Sequence, residues 1–129
     1  MAGLGGYLAV FAGAGFGGVA RYAVGLAVVR HYNGPFPLAT FLINVSGCFA
    51  AGLIAGLLAQ RTPPPHDHWR LLLVVGVMGG YTTFSTFGVE TYRAIRDGYL
   101  AIAAANAVGS VLAGVAAAAL GAAAARRGF

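Results

Sequence analysis

Phe84 and Phe87 stand three residues apart in the string Gly79-Gly80-Tyr81-Thr82-Thr83-Phe84-Ser85-Thr86-Phe87. At that spacing both rings share one face of a helix. An aromatic ring is negative on its face and positive at its edge, so edges turned into a dry cavity can stabilise a small anion without a fixed cation. A guanidinium in the same place would hold the ion too firmly, because conduction requires binding weak enough to be reversed. Two aromatics at this spacing also serve as plain packing, and both readings stand until the neighbouring residues are weighed.

Those neighbours are polar groups inside apolar stretches. Thr40, Asn44 and Ser46 fall within Ala39-Thr40-Phe41-Leu42-Ile43-Asn44-Val45-Ser46-Gly47, and Asn106 and Ser110 are four apart with Gly114 continuing their face. Polar side chains are costly in lipid and turn toward other helices or a pore. Singly, each is accounted for by an interhelical hydrogen bond worth about 0.6 kcal/mol. The Gly79–Phe87 string shifts the balance toward pore lining. Gly costs about 1 kcal/mol relative to Ala inside a helix, and Thr is stiff at χ1. Irregular backbone at membrane depth persists only where protein buries it or where it lines a wet cavity, and broken helices mark ion and substrate sites. The residues point to a transport protein.

Other candidates carry less. Arg21 and Glu90 lie within apolar segments, where each snorkels or pairs with an opposite charge. Arg21 serves equally well as a vestibule charge that draws in anions, and Glu90 reads as structural. Cys48 is the only cysteine, which rules out an intramolecular disulfide and suits a small buried residue. His66-Asp67-His68 offers two imidazoles without a third convincing ligand, so it reads as a solvated loop. Gly13-Ala14-Gly15-Phe16-Gly17-Gly18 opens no strand–turn–helix unit and is no dinucleotide loop. With no paired carboxylates, metal-ligand spacing or phosphate loop, no enzyme signature remains.

The elements that must position these residues follow from composition. Of 129 residues, 59% are hydrophobic and 9% charged, against about 25% charged in soluble domains. The mean hydropathy is +0.79. A membrane span needs roughly 20 mostly apolar residues, and four segments qualify, about 4–29, 36–59, 71–96 and 99–125. The expectation is an all-α membrane protein: a single four-helix transmembrane domain over residues 1–129 whose third helix is broken near its middle. Met1-Ala2-Gly3-Leu4 lacks the positive region of a cleaved leader, so the first span is expected to be retained. The net charge is +5, all of it from Arg and none from Lys. Because most of the Arg residues sit at span boundaries, anionic head groups are the expected partners, not nucleic acid.

With four spans, one side of the membrane holds Arg61, Arg70, Arg126 and Arg127, and the other holds Arg30, Arg93 and Arg96. Such a small asymmetry scarcely fixes topology; either Arg21 or the translocon decides, or the chain inserts both ways and pairs antiparallel. Four short helices enclose little space, so an oligomer is expected. The pairs Gly13…Gly17, Gly52…Gly56, Gly76…Gly80 and Ala105…Gly109…Ala113 permit close helix contacts.

Over essentially its whole length the chain resembles the small fluoride channels of the Fluc (CrcB) family. The matching motifs are Gly17-Gly18-Val19-Ala20-Arg21-Tyr22, Leu42-Ile43-Asn44-Val45-Ser46-Gly47 and, most specific, Gly79 through Phe87 continued by Gly88-Val89-Glu90. The resemblance implies an antiparallel, dual-topology homodimer with two fluoride pores in a bacterial plasma (inner) membrane. It implies that Phe84 and Phe87 supply ring edges, that Asn44 hydrogen-bonds near the ion, and that Ser110, Ser85 and Thr86 extend a polar track. It further implies a structural sodium ion on the dimer axis, held by the backbone carbonyls of Gly79 and Thr82, and no organic cofactor. Asn106 stands where the family often has an aromatic hydroxyl. Passive export would lower cytoplasmic fluoride and confer resistance, since the negative-inside potential expels an anion. The rival is a proton-coupled exporter of the small multidrug transporter type. That architecture depends on a carboxylate in the first helix, where this chain has none.

Overall fold

The computed structural model describes residues 3–61 and 67–127, which fold into helices with no strand among them. The helices are α1 (Leu4–His31), α2 (Leu38–Ala59), α3 (residues 67–81), α4 (Phe84–Arg96) and α5 (Leu100–Arg127). Among the described residues, four stretches are long and apolar enough to cross a membrane: α1, α2, α5 and the combined third span His68–Arg96. The protein is a multi-pass membrane protein whose third span is interrupted between α3 and α4.

Local chemistry sets the ends. After α1, Pro35 and Pro37 lie between the first two helices, and Pro37 caps α2. Proline has no N–H to extend a helical ladder. Between α4 and α5, Gly98 takes φ 83°, a left-handed conformation that glycine adopts without a Cβ penalty. Beside that turn, Arg96 Nε donates to Asp97 Oδ1 at 2.7 Å. The hydrogen bond from Arg96 holds the Asp97 carboxyl below its ordinary range.

Packing falls into two helix pairs, α1 with α3 and α2 with α5. Small residues make each pair possible. A side chain on Gly17 would run into the Val77 carbonyl of α3, and one on Gly80 would meet the Ala14 carbonyl of α1. In the second pair, Gly52 faces the Ala118 carbonyl and Gly121 faces that of Phe49. Without apolar driving force between helices in lipid, backbone approach of this kind supplies the association. Among the described residues the buried apolar ones are correspondingly few and mostly small: Ile43, Ala103, Ala117 and Ala125. Large apolar side chains such as Phe11, Phe16, Val19 and Leu120 face outward, where a bilayer would take them.

The third span departs from ideal geometry in two places. Leu71–Met78 is π-helical, a wider and rare winding that is frequent at functional sites. The true break is shorter than the Gly/Thr/Ser string suggests. Gly79–Tyr81 and Phe84–Thr86 stay helical, and only Thr82 and Thr83 are extended. Contacts override propensity here: Gly80 is pressed onto α1, and Thr83 caps the helix that follows.

Candidate ion pathway at the helix break

The break is held by side chains from two other helices. Thr83 N–H donates to Asn44 Oδ1 at 2.8 Å, and Asn44 Nδ2 returns a bond to the Thr83 carbonyl at 3.0 Å. One amide of α2 thus replaces both bonds that the interrupted ladder would have made for that residue. Arg21 of α1 donates through Nη1 to the Thr82 carbonyl at 3.2 Å. Buried backbone groups need such partners, and the chain supplies them from Asn44 and Arg21. The N–H that a continuous helix would aim at the Gly79 carbonyl is the one turned to Asn44. Gly79 is itself exposed, with open space around its Cα.

Thr83 starts α4. Its hydroxyl oxygen accepts from Thr86 N–H at 3.2 Å and donates to Thr86 Oγ1 at 2.9 Å, the N-cap arrangement worth about 1 kcal/mol. With Thr83 8% exposed, the cap is built into the interior. Thr86 is thereby engaged with its own helix terminus, and Ser85 Oγ lies 3.4 Å from Thr83 Oγ1. Both are exposed at the surface of the single chain.

The cap fixes the direction of the first turn of α4 and so aims the two rings. Phe84 and Phe87 lie 5.5 Å apart between centroids and are tilted 38°. They line a cavity of about 210 Å³ together with Asn44, Cys48, Thr82, Ser110 and Val111. Phe84, Phe87, Asn44 and Ser110 are thus brought together, Ser85 and Thr86 lie just outside at the cap, and Arg21 stands at the break.

Residues 8–122 match the family described as CrcB-like protein, Camphor Resistance (CrcB). The Fluoride-specific ion channel FluC of Solibacter usitatus is 51% identical over 121 residues, covering 94% of this chain and 98% of that protein. A second protein of the same name, from a Caulobacter species, is 44% identical over 122 residues, 95% of each chain. A third, from Methylobacterium nodulans, is 47% identical over 109 residues, covering 84% and 86%. The chain belongs to the CrcB family.

Within this member of the CrcB family, further polar pairs join the helices. Thr40 Oγ1 donates to Glu90 Oε1 at 2.9 Å. Asn106 Nδ2 donates to Thr91 Oγ1 at 2.9 Å, and Ser110 Oγ donates to Asn106 Oδ1 at 3.1 Å. Ser46 and Tyr81 hydroxyls meet at 2.9 Å. A second cavity of about 290 Å³, lined by Glu90, Arg93, Asp97, Tyr99 and Asn106 among others, opens where α4 meets α5. Asn106 therefore touches the second cavity while its partner Ser110 lines the first. Thr91 carried no signal in the sequence, because a lone hydroxyl in mid-helix ordinarily bonds its own backbone, and its link to Asn106 exists only once the helices pack.

Proposed function

We propose that this chain is a fluoride-selective channel that lets the ion leave the cytoplasm of a bacterial cell passively through its plasma membrane. It is a channel and not an enzyme, in keeping with the channel names that its relatives carry. The observation that carries the reading is the cavity beneath the break, where two phenylalanine rings share a wall with Asn44 and Ser110. No fixed charge lines it, so an anion entering would meet ring edges and neutral dipoles, and would be bound weakly enough to leave. Ser85 and Thr86 extend the polar track toward solvent, and Arg21 raises the local anion concentration as a vestibule charge.

Two copies in antiparallel orientation complete the pathway. Phe84 is 83% exposed and α4 buries none of its residues within one chain, although Ser85 and Thr86 stand at its start. A lipid-facing surface of that polarity is costly, and a second copy covers it. The resulting homodimer has two equivalent pores. A structural sodium ion fits the same interface: the Gly79 carbonyl lacks its helical donor, and the Thr82 carbonyl keeps one lone pair beyond its bond to Arg21. Unwound carbonyls are the usual sodium ligands at broken helices.

The test is fluoride release from proteoliposomes under a potassium gradient with valinomycin, with chloride as competitor. Rapid fluoride release with little chloride release is expected, and Phe84→Ile should abolish it in a dimer that remains intact. No release from well-folded dimer would refute the reading. Glu90→Gln should keep conducting, whereas a proton-coupled exporter would lose coupled transport.

A further inference from the structure

We propose that Asn106 and Thr91 are positioning residues that set which way the Ser110 hydroxyl points, so that it donates into the cavity when an anion is there. The inference rests on the anion-pathway reading above. Ser110 lines the cavity with both phenylalanines, yet its single proton is given to Asn106 Oδ1. In that arrangement it turns lone pairs, not a donor, to the cavity. Asn106 is the most deeply buried large side chain, 1% exposed, and its Nδ2 donates to Thr91, whose hydroxyl in turn donates to the Phe87 carbonyl at 2.8 Å.

The amide carries a donor and an acceptor on one plane, and the torsion that turns it is broad and roughly two-fold. Half a turn exchanges them without moving either neighbour. Thr91 then donates to Asn106 Oδ1, Asn106 Nδ2 donates to Ser110 Oγ, and the Ser110 proton is released to the cavity. Three hydrogen bonds exist before the exchange and three after it, with the anion as the last acceptor. The Phe87 carbonyl loses only a second donor, because it retains the Thr91 N–H of its own helix. No buried group is orphaned, which is the condition for a low-cost rearrangement. In the reversed chain each donor polarises the next, strengthening the final bond to the ion.

A cycle of fluoride-release rates tests this with Asn106→Leu, Ser110→Ala and the double variant, in the dimeric protein reconstituted in liposomes. Each single change is expected to slow release by about tenfold, the scale of one hydrogen bond to a charged group. The double variant should be no more than about twofold slower than Ser110→Ala alone, since coupled residues are non-additive. Thr91→Ser should keep the wild-type rate and Thr91→Val should fall toward that of Asn106→Leu. If Asn106→Leu fails to assemble, Thr91→Val with Ser110→Ala forms the same cycle. Losses that multiply, or a wild-type rate in Thr91→Val, would overturn the switch while leaving the channel intact. A wild-type protein that releases no fluoride removes the pathway and the switch together.

Discussion

Asn44 does two jobs with one amide. It closes both backbone bonds of Thr83 at the break and faces the cavity beside the phenylalanines. Its chemistry explains why neither Asp nor Ser would serve: the first lacks a donor when ionised and the second cannot span two backbone groups at once. Cys48 shares that wall and is the only cysteine of the chain, which makes it a reporter. A small methanethiosulfonate reagent is expected to slow fluoride release from liposomes by at least about tenfold, since a few ångströms of misfit narrow a dehydrated pore sharply. Cys48→Ala should release fluoride at the wild-type rate and ignore the reagent. Equal sensitivity in Cys48→Ala would separate this cavity from the ion's route.

At the scale of elements, the molecule is two tightly apposed helix pairs bridged by the broken span. Backbone contact, not side-chain interdigitation, fixes each pair. Gly17 is the critical point between α1 and α3, because a methyl there would collide with the Val77 carbonyl. Gly17→Ala should therefore destabilise the protein by about 1–3 kcal/mol, the range for overpacking. Gly25 on the same helix has open space around it. There Ala should leave stability unchanged or raise it by up to about 1 kcal/mol through helix propensity. Thermal midpoints in detergent compare the two, and an equal effect of both changes would contradict the packing assigned to α1 and α3.

For the whole molecule, the near balance of Arg across the membrane bears on how copies meet. If the working unit is an antiparallel dimer, each chain must insert both ways in similar numbers. Added Arg at the α2–α3 loop should fix one orientation, and added Arg at the α1–α2 and α4–α5 turns should fix the other. Each biased variant alone is expected to lose fluoride resistance in cells, and the two expressed together should restore it. Full resistance from either one alone would mean that parallel copies, or a single copy, suffice.

Much of this protein is written in local sequence. Four apolar segments, the all-α class, the weak spot in the third span and the pairing of Phe84 with Phe87 on one face all follow from periodicity and hydropathy, because lipid forces every backbone group into a helix unless something replaces its bonds. The motifs at Arg21, Asn44 and Phe84 were also enough to suggest the family. What sequence could not supply was which small-residue stripe meets which. Gly13…Gly17 and Gly52…Gly56 are alike as patterns, and only the tertiary structure assigns the first to α3 and the second to α5. Nor did propensity reveal that the break spans just Thr82 and Thr83, since its extent depends on Asn44 and Arg21 arriving from distant positions to satisfy the freed backbone. The same holds for the Thr91–Asn106–Ser110 chain. Which polar groups bond is decided by which partner lies within about 3 Å, and that distance is set only when the helices have packed.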